Sequence, residues 1–352
     1  MTPTATDALI IGAGPVGLFQ VFQLGLQGVK AHLVDALPYV GGQCAELYAD
    51  KPIYDIPALR VCTGRELVER LQAQIAPMAA SFHLGQLVES LQRQADGGFS
   101  VTTSGGAEFV ATTVFIAAGA GAFVPRAFPL ADCQPYAGTQ MHHHPSALQG
   151  APDAAIVVFG GDDLALDWAL GLAEQGRAVT LVHRRAQLQA QPELLARVHA
   201  AIANGLLRFV AGQPIAHAQT GGRLCNLRVA LPDGGTQELA VDQLLVALGL
   251  SPKLGPLAHW GLALERKQTP VNTENFQTSE PGIFAVGDIN TYPGKKKLIL
   301  SGFHEATLAA FGAMALIAPQ HPAALEYTTT SKRLHRILGV DSSAPALPKT
   351  VP

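Results

Sequence analysis

An α/β fold of two Rossmann-like, three-layer (ββα) dinucleotide-binding domains, the second inserted into the first, is predicted by three observations. A glycine-rich strand-to-helix turn occurs twice, at residues 12–17 and 160–165. Each turn follows a short apolar run without polar alternation, as expected of a parallel strand buried on both faces. A third such run, Ile283-Phe284-Ala285-Val286-Gly287-Asp288, comes too late to suit the second repeat. It is expected to complete the first sheet, which makes the first domain discontinuous (1–115 and 282–352) around a second domain at 120–279. Hinges are then expected near 119–121 and 281–282.

The first turn reads Gly12-Ala13-Gly14-Pro15-Val16-Gly17 after Ala8-Leu9-Ile10-Ile11, and a helix through Gln27 follows. In such a turn Gly12 makes the bend, Gly14 lets the backbone approach a pyrophosphate, and Gly17 permits close strand and helix packing. The phosphates then sit at the helix amino end. A second strand, Ala31-His32-Leu33-Val34, ends in Asp35, about twenty residues past the glycines, where a ribose-binding acid belongs.

The second turn, Gly160-Gly161-Asp162-Asp163-Leu164-Ala165, follows Ala155-Ile156-Val157-Val158-Phe159 and precedes a helix over 166–174. Its next strand, 179–182, ends in His183-Arg184-Arg185 instead of an acid. Cations there suit the 2′-phosphate of NADP; a solvated basic loop is the alternative. Alternating segments at 99–102 with 108–110, and 227–230 with 237–240, read as hairpins. Each precedes a buried strand, at 113–117 and 243–246, so the two halves are expected to share one plan.

Composition narrows the function classes. The chain has 352 residues, 48% hydrophobic and 14% charged, enough for two cores and incompatible with disorder. A net charge of −3 argues against a general nucleic-acid binder. The amino terminus has no basic leader, and no run of eighteen residues free of Gly, Pro, His and charge reads as a membrane span, so a cytoplasmic protein without membrane attachment is expected. Cys44, Cys62, Cys133 and Cys225 form neither a CxxC pair nor a zinc-type spacing. Adjacent side chains in His142-His143-His144 diverge, so no metal site is expected.

Several stretches resemble the bacterial thioredoxin-reductase-like ferredoxin-NADP reductases. They are the first turn with Leu18-Phe19, Gly41-Gly42-Gln43, Leu47-Tyr48 before Lys51-Pro52-Ile53-Tyr54-Asp55-Ile56-Pro57, and Gly121-Ala122-Phe123-Val124-Pro125-Arg126. Phe284-Ala285-Val286-Gly287-Asp288-Ile289-Asn290, Lys297-Leu298-Ile299-Leu300 before Gly302-Phe303-His304-Glu305, and Tyr327-Thr328-Thr329-Thr330-Ser331 extend the likeness nearly end to end.

The resemblance implies an FAD-dependent homodimer that moves electrons between NADPH and ferredoxin or flavodoxin. It implies that Asp35 holds the adenosine ribose, that Gln43, Val88 and Phe123 line the FAD site, and that Asp288 contacts its ribityl and pyrophosphate region. Tyr48 would stack on one flavin face, while Tyr327, with Thr329 near the ring, would cover the other. The helix expected over 302–318 would direct its amino end at the flavin. The cofactor supplies the chemistry, so no catalytic side chain is expected. Lys295, Lys296, Lys297, Lys332, Arg333 and Arg336 are expected to form a docking patch for an acidic carrier.

The second loop departs from the family pattern, with Asp162 where a third glycine belongs and Leu164 in place of serine. A carboxylate about 4 Å from a phosphate oxygen opposes binding by on the order of 1–4 kcal/mol. Weak NADPH binding, a preference that includes NADH, or reduction by another donor all remain open. So do another acceptor (a quinone or a partner disulfide protein) and a non-catalytic FAD-binding regulator.

Overall fold

The structure, a computed structural model, describes residues 2–148, 153–320 and 327–340. Among these residues the α-helices are α1 (Pro15–Leu26), α2 (Gln43–Glu46), α3 (Gly64–Ile75), α4 (Asp163–Glu174), α5 (Pro192–Ala203), α6 (Ile299–Ile317) and α7 (Lys332–Ile337). The chain divides into two compact units, residues 1–123 with 252–352, and residues 124–251.

The first unit is built on a seven-stranded sheet. Strands Ser81–Leu84, Ala31–Asp35, Thr4–Ile11 and Glu108–Ile116 lie parallel in that order, each pairing with the next. Glu108–Ile116 is one continuous strand where the sequence suggested a hairpin arm and a separate strand. Its first half pairs antiparallel with Phe99–Thr103, and its second half pairs parallel with Ile283–Ala285. The late apolar run therefore does join the first sheet.

Helices α1, α3 and α6 bury their apolar faces in one cluster on this sheet, and the meander Val88–Arg93 and Phe99–Thr103 joins a second cluster. Pro15 suits the first position of α1, where no N–H is needed. Thr63 and Glu66 form a reciprocal capping box on α3, whose Leu67, Val68, Leu71 and Ile75 are buried at helical spacing. Helix α6 has 19 residues and a mean hydropathy of 1.3, enough by length and composition to cross a membrane. One face of it packs in the core, where Ala306, Ala309, Ala310 and Ala313 are fully buried and so is Glu305.

The boundary of the second unit differs from the sequence expectation. Residues 252–281 go with the first unit, because Leu257 and Leu262 bury in its second cluster with Trp260 packed against them. The crossing points lie at 123/124 and 251/252, not at the glycines near 119–121 and 281–282.

The second unit has a five-stranded parallel sheet, in the order Met141–His142, Gln243–Val246, Ala155–Phe159, Ala178–His183, Arg208–Ala211. A separate antiparallel sheet holds Gln213–Thr220, Arg223–Ala230 and Thr236–Ala240. Here the hairpin arm and the buried strand are distinct, unlike in the first unit. The break falls at Asp242, whose N–H donates to the Ala155 carbonyl (2.9 Å) while its carboxylate accepts from the Ala155 N–H (2.9 Å).

The contact of α1 with α6 depends on Gly302. A Cβ there would lie 2.3 Å from Val16 Cγ2 and 3.4 Å from Gly287 Cα. Gly302→Ala is expected to destabilise the protein by about 1–3 kcal/mol through overpacking. Denaturant unfolding should show Val16→Ala/Gly302→Ala recovering part of the loss; strict additivity of the two changes would contradict this packing.

Candidate functional site

A cleft opens beyond the carboxyl ends of strands Thr4–Ile11, Ala31–Asp35 and Glu108–Ile116, the place where open α/β sheets bind ligands. Its lining includes Gly12, Gly14 and Pro15 from the first turn, and Asp35 from the second strand. Gln43, Tyr48, Val88, Phe123 and Asp288 also line it. Gly17 lies behind the turn, where a Cβ would meet the Gly12 carbonyl oxygen at 1.9 Å.

The turn is shaped to bring backbone to a ligand. Gly12 has φ +112°, and a Cβ there would lie 2.4 Å from the Ala117 carbonyl oxygen. Gly14, the residue before α1, has open space around its missing Cβ and provides no side-chain cap for the helix. The first-turn N–H groups of α1 are thus left to a ligand, at the positive end of the helix dipole. Helix α6 also begins without a side-chain cap, at Leu298, and Lys297, Leu298 and Ile299 line the same cleft. Two uncapped helix ends converging on one cavity favour an anionic ligand, and the open position at Gly14 fits a dinucleotide pyrophosphate.

Asp35 is fixed by backbone donors. Its Oδ2 accepts from Ala13 N–H (2.6 Å) and its Oδ1 from Leu37 N–H (2.8 Å). Burial raises its pKa, opposed by these two hydrogen bonds. A carboxylate oxygen accepts more than one hydrogen bond, which leaves capacity for sugar hydroxyls in the cleft. Gln43 Nε2 donates to Asp288 Oδ2 (3.3 Å), linking two of the lining residues across 245 positions of sequence.

A buried charge cluster holds the Gly287–Asp288 turn. Glu305, fully buried, accepts from Gly287 N–H (2.7 Å), Asn290 Nδ2 (2.8 Å) and Tyr292 OH (2.9 Å). Lys295 donates to Glu305 and also to the Gly287 carbonyl (2.9 Å). Gln268 Nε2 secures the Asp288 carbonyl (3.1 Å). Burial and the Glu305 contact push the Tyr292 hydroxyl up to about 12. Sequence reasoning gave Glu305 no role, although a lone carboxylate within an apolar helix is the signal that could have revealed it.

The same cluster corrects the docking patch. The Lys295 side chain is only 6% exposed and is paired with Glu305, so it is not available at the surface. Arg333 packs its guanidinium over Gly28, at the carboxyl end of α1, while the cleft lies at the amino end. Lys332 and Arg336 share α7 with it. Tyr327 and Thr329 are exposed and do not line the cleft. Gln86, Leu254 and Trp260 do line it, without having been singled out in the sequence.

The second unit treats its glycine turn differently. A Cβ on Gly160 would lie 2.2 Å from the Ala247 carbonyl oxygen, and one on Gly161 would strike the His183 ring at 2.3 Å. Asp162 is the N-cap of α4, its carboxylate accepting from Ala165 N–H (3.1 Å). Asp163 accepts from Gln191 N–H (2.7 Å). This helix end therefore carries its own carboxylate where α1 is bare. Burial, Arg184 and Arg185 lower the His183 pKa, with Asp162 acting in the opposite sense. Arg184 and Arg185 remain as exposed cations.

Glu305→Gln should leave Lys295 buried without a counter-charge and destabilise the protein by about 3–5 kcal/mol. Chemical denaturation of purified protein checks this, and an unchanged midpoint would show that the cluster does not hold the turn.

Residues 6–310 match the family model described as pyridine nucleotide-disulphide oxidoreductase. A ferredoxin–NADP reductase of Paracidovorax citrulli is 57% identical over 347 residues, covering 95% of this chain and 96% of its own length. One from Albidiferax ferrireducens is 53% identical over 344 residues, covering 97% of each chain. Among solved structures, a thioredoxin reductase from Gloeobacter violaceus is similar in fold, with a TM-score of 0.57 at 19% identity over 92% of this chain and 98% of its own. The chain belongs to the pyridine nucleotide-disulphide oxidoreductase family.

Proposed function

We propose that the chain is an FAD-dependent oxidoreductase that passes electrons between NADPH and ferredoxin or flavodoxin. The observation that carries this reading is the cleft in which a bare glycine turn, Asp35 and a second uncapped helix meet. Near full-length relatives named ferredoxin–NADP reductase support the choice of donor and acceptor. FAD, when bound, links two-electron exchange with the nicotinamide to one-electron exchange with the carrier.

The residues have separable tasks. Gly12, Gly14 and the amino end of α1 receive the FAD pyrophosphate, and Asp35 accepts from the adenosine ribose. Gln43 and Asp288 hold the ribityl side, with Val88, Phe123 and the Tyr48 ring as walls. The amino end of α6 favours negative charge on the reduced ring system. The turn 160–165 with Arg184 and Arg185 receives NADPH, His183 acting as a neutral neighbour. Cys44, Cys62 and Cys133 are buried and all four thiols are free, so the chain offers no exposed dithiol for disulfide exchange. A cytoplasmic homodimer belongs to the same reading, on the family resemblance.

Two exposed lysines remain of the docking patch, Lys296 and Lys297, the latter at the cleft. Anaerobic turnover with ferredoxin should slow steeply with added salt, while reduction of a small neutral dye should not. Lys296→Glu/Lys297→Glu should raise KM for ferredoxin alone. Equal salt slopes for both acceptors would remove the patch.

The Asp162 carboxylate opposes a phosphate at the amino end of α4. Asp162→Gly should lower KM for NADPH by roughly tenfold, the low end of about 1–4 kcal/mol of repulsion. Steady-state kinetics check it, and an unchanged KM would place the NADPH phosphates elsewhere.

A further inference from the structure

We propose that Asp132, Cys133 and His217 form a site for one thiophilic divalent cation of the zinc type, within the unit formed by residues 124–251. Their ligand atoms all lie within 4.8 Å of one another. The set offers one sulfur, one imidazole nitrogen and one carboxylate oxygen, a combination that suits zinc. Sequence spacing hides it, because the 3₁₀ turn Ala131–Tyr136 and the strand Gln213–Thr220 that supply the ligands are far apart in the chain.

The His217–Asp132 contact is a poor ion pair and a good ligand edge. Nδ1 of His217 lies 3.3 Å from Asp132 Oδ2, yet this buried nitrogen makes no hydrogen bond. Ligand atoms at ~2.0–2.1 Å from a tetrahedral centre stand about 3.3 Å apart. The His217 ring is held edge-on by Tyr136, with centroids 5.6 Å apart at 78°. Cys133 is fully buried. A buried neutral thiol is a poor nucleophile but becomes a ligand when a metal displaces its proton. Binding would form a metal–thiolate bond and release that proton to solvent. The Asp132 side chain is 66% exposed, which gives an entry path and room for water as a fourth ligand. By contrast, His142 pairs with Gln243, His143 with the Val246 carbonyl and His144 with Ser146, so the consecutive histidines are engaged elsewhere.

The inference does not depend on the proposed electron transfer. Flavin-loaded protein, stripped with a chelator, should take up one zinc per chain in equilibrium dialysis followed by elemental analysis. About one proton should be released per zinc in weakly buffered solution. Cys133→Ala should abolish the proton release. His217→Gln and Asp132→Asn should weaken uptake by at least the roughly tenfold that loss of even an outer partner of a metal site produces. The exposed Asp132 position tolerates its change should the buried ones impair folding. Absence of zinc from the unaltered protein, or unaltered zinc affinity in Asp132→Asn, would overturn the proposal.

Discussion

The fold of the first unit is organised around the close approach of the Gly12 turn to Ala117. Neither residue 12 nor residue 17 has room for a side chain, so α1 is drawn down onto the end of its strand. Everything at the cleft follows from that approach. The amino end of α1 reaches the cavity, Ala13 donates to Asp35, and the Gly302 contact brings the amino end of α6 to the same place. Neither helix end carries a side-chain cap, which leaves their first N–H groups open toward the cleft.

The two glycine turns show how one local change alters a shared motif. In the first unit the residue before the helix is Gly14, without a side chain; in the second it is Asp162, whose carboxylate caps α4. A capping aspartate stabilises a helix by roughly 1 kcal/mol. It also places negative charge where an anion would bind, so helix stability and phosphate affinity oppose each other at that position. Buried charge is used differently at Glu305 and Lys295, whose cluster of five hydrogen bonds includes one from the Gly287 N–H and one to the Gly287 carbonyl.

Much of this was legible in the sequence, for reasons that differ by element. The segment immediately before each turn, 8–11 and 155–159, is apolar and rich in β-branched residues, and its parallel pairing follows from that composition. The return of Ile283–Ala285 to the first sheet could be inferred because its apolar run had no other sheet to complete. The second domain boundary could not, because Leu257 and Leu262 look like any apolar pair until their cluster is known. Lys295 in a run of three lysines reads as surface, and only its contact with Glu305 buries it. Where Tyr327 and Arg333 lie relative to the cleft could not be read, since position near the end of the chain does not reveal which end of α1 the segment meets. The Asp132, Cys133 and His217 grouping joins two elements that no local pattern connects.

The bare amino end of α1 can be tested by giving it the cap that α4 already has. Gly14 has ordinary backbone angles (φ −68°, ψ 176°) and open space, so Gly14→Asp should fold as well as the unaltered chain. The FAD content of the purified parent, Gly14→Asp and Gly14→Asn proteins, measured by absorbance after denaturation, is the deciding quantity. A flavin-loaded parent beside a folded, colourless Gly14→Asp protein, with Gly14→Asn less affected, is the expected result. Equal FAD content in all three would show that the phosphates do not sit at this helix end.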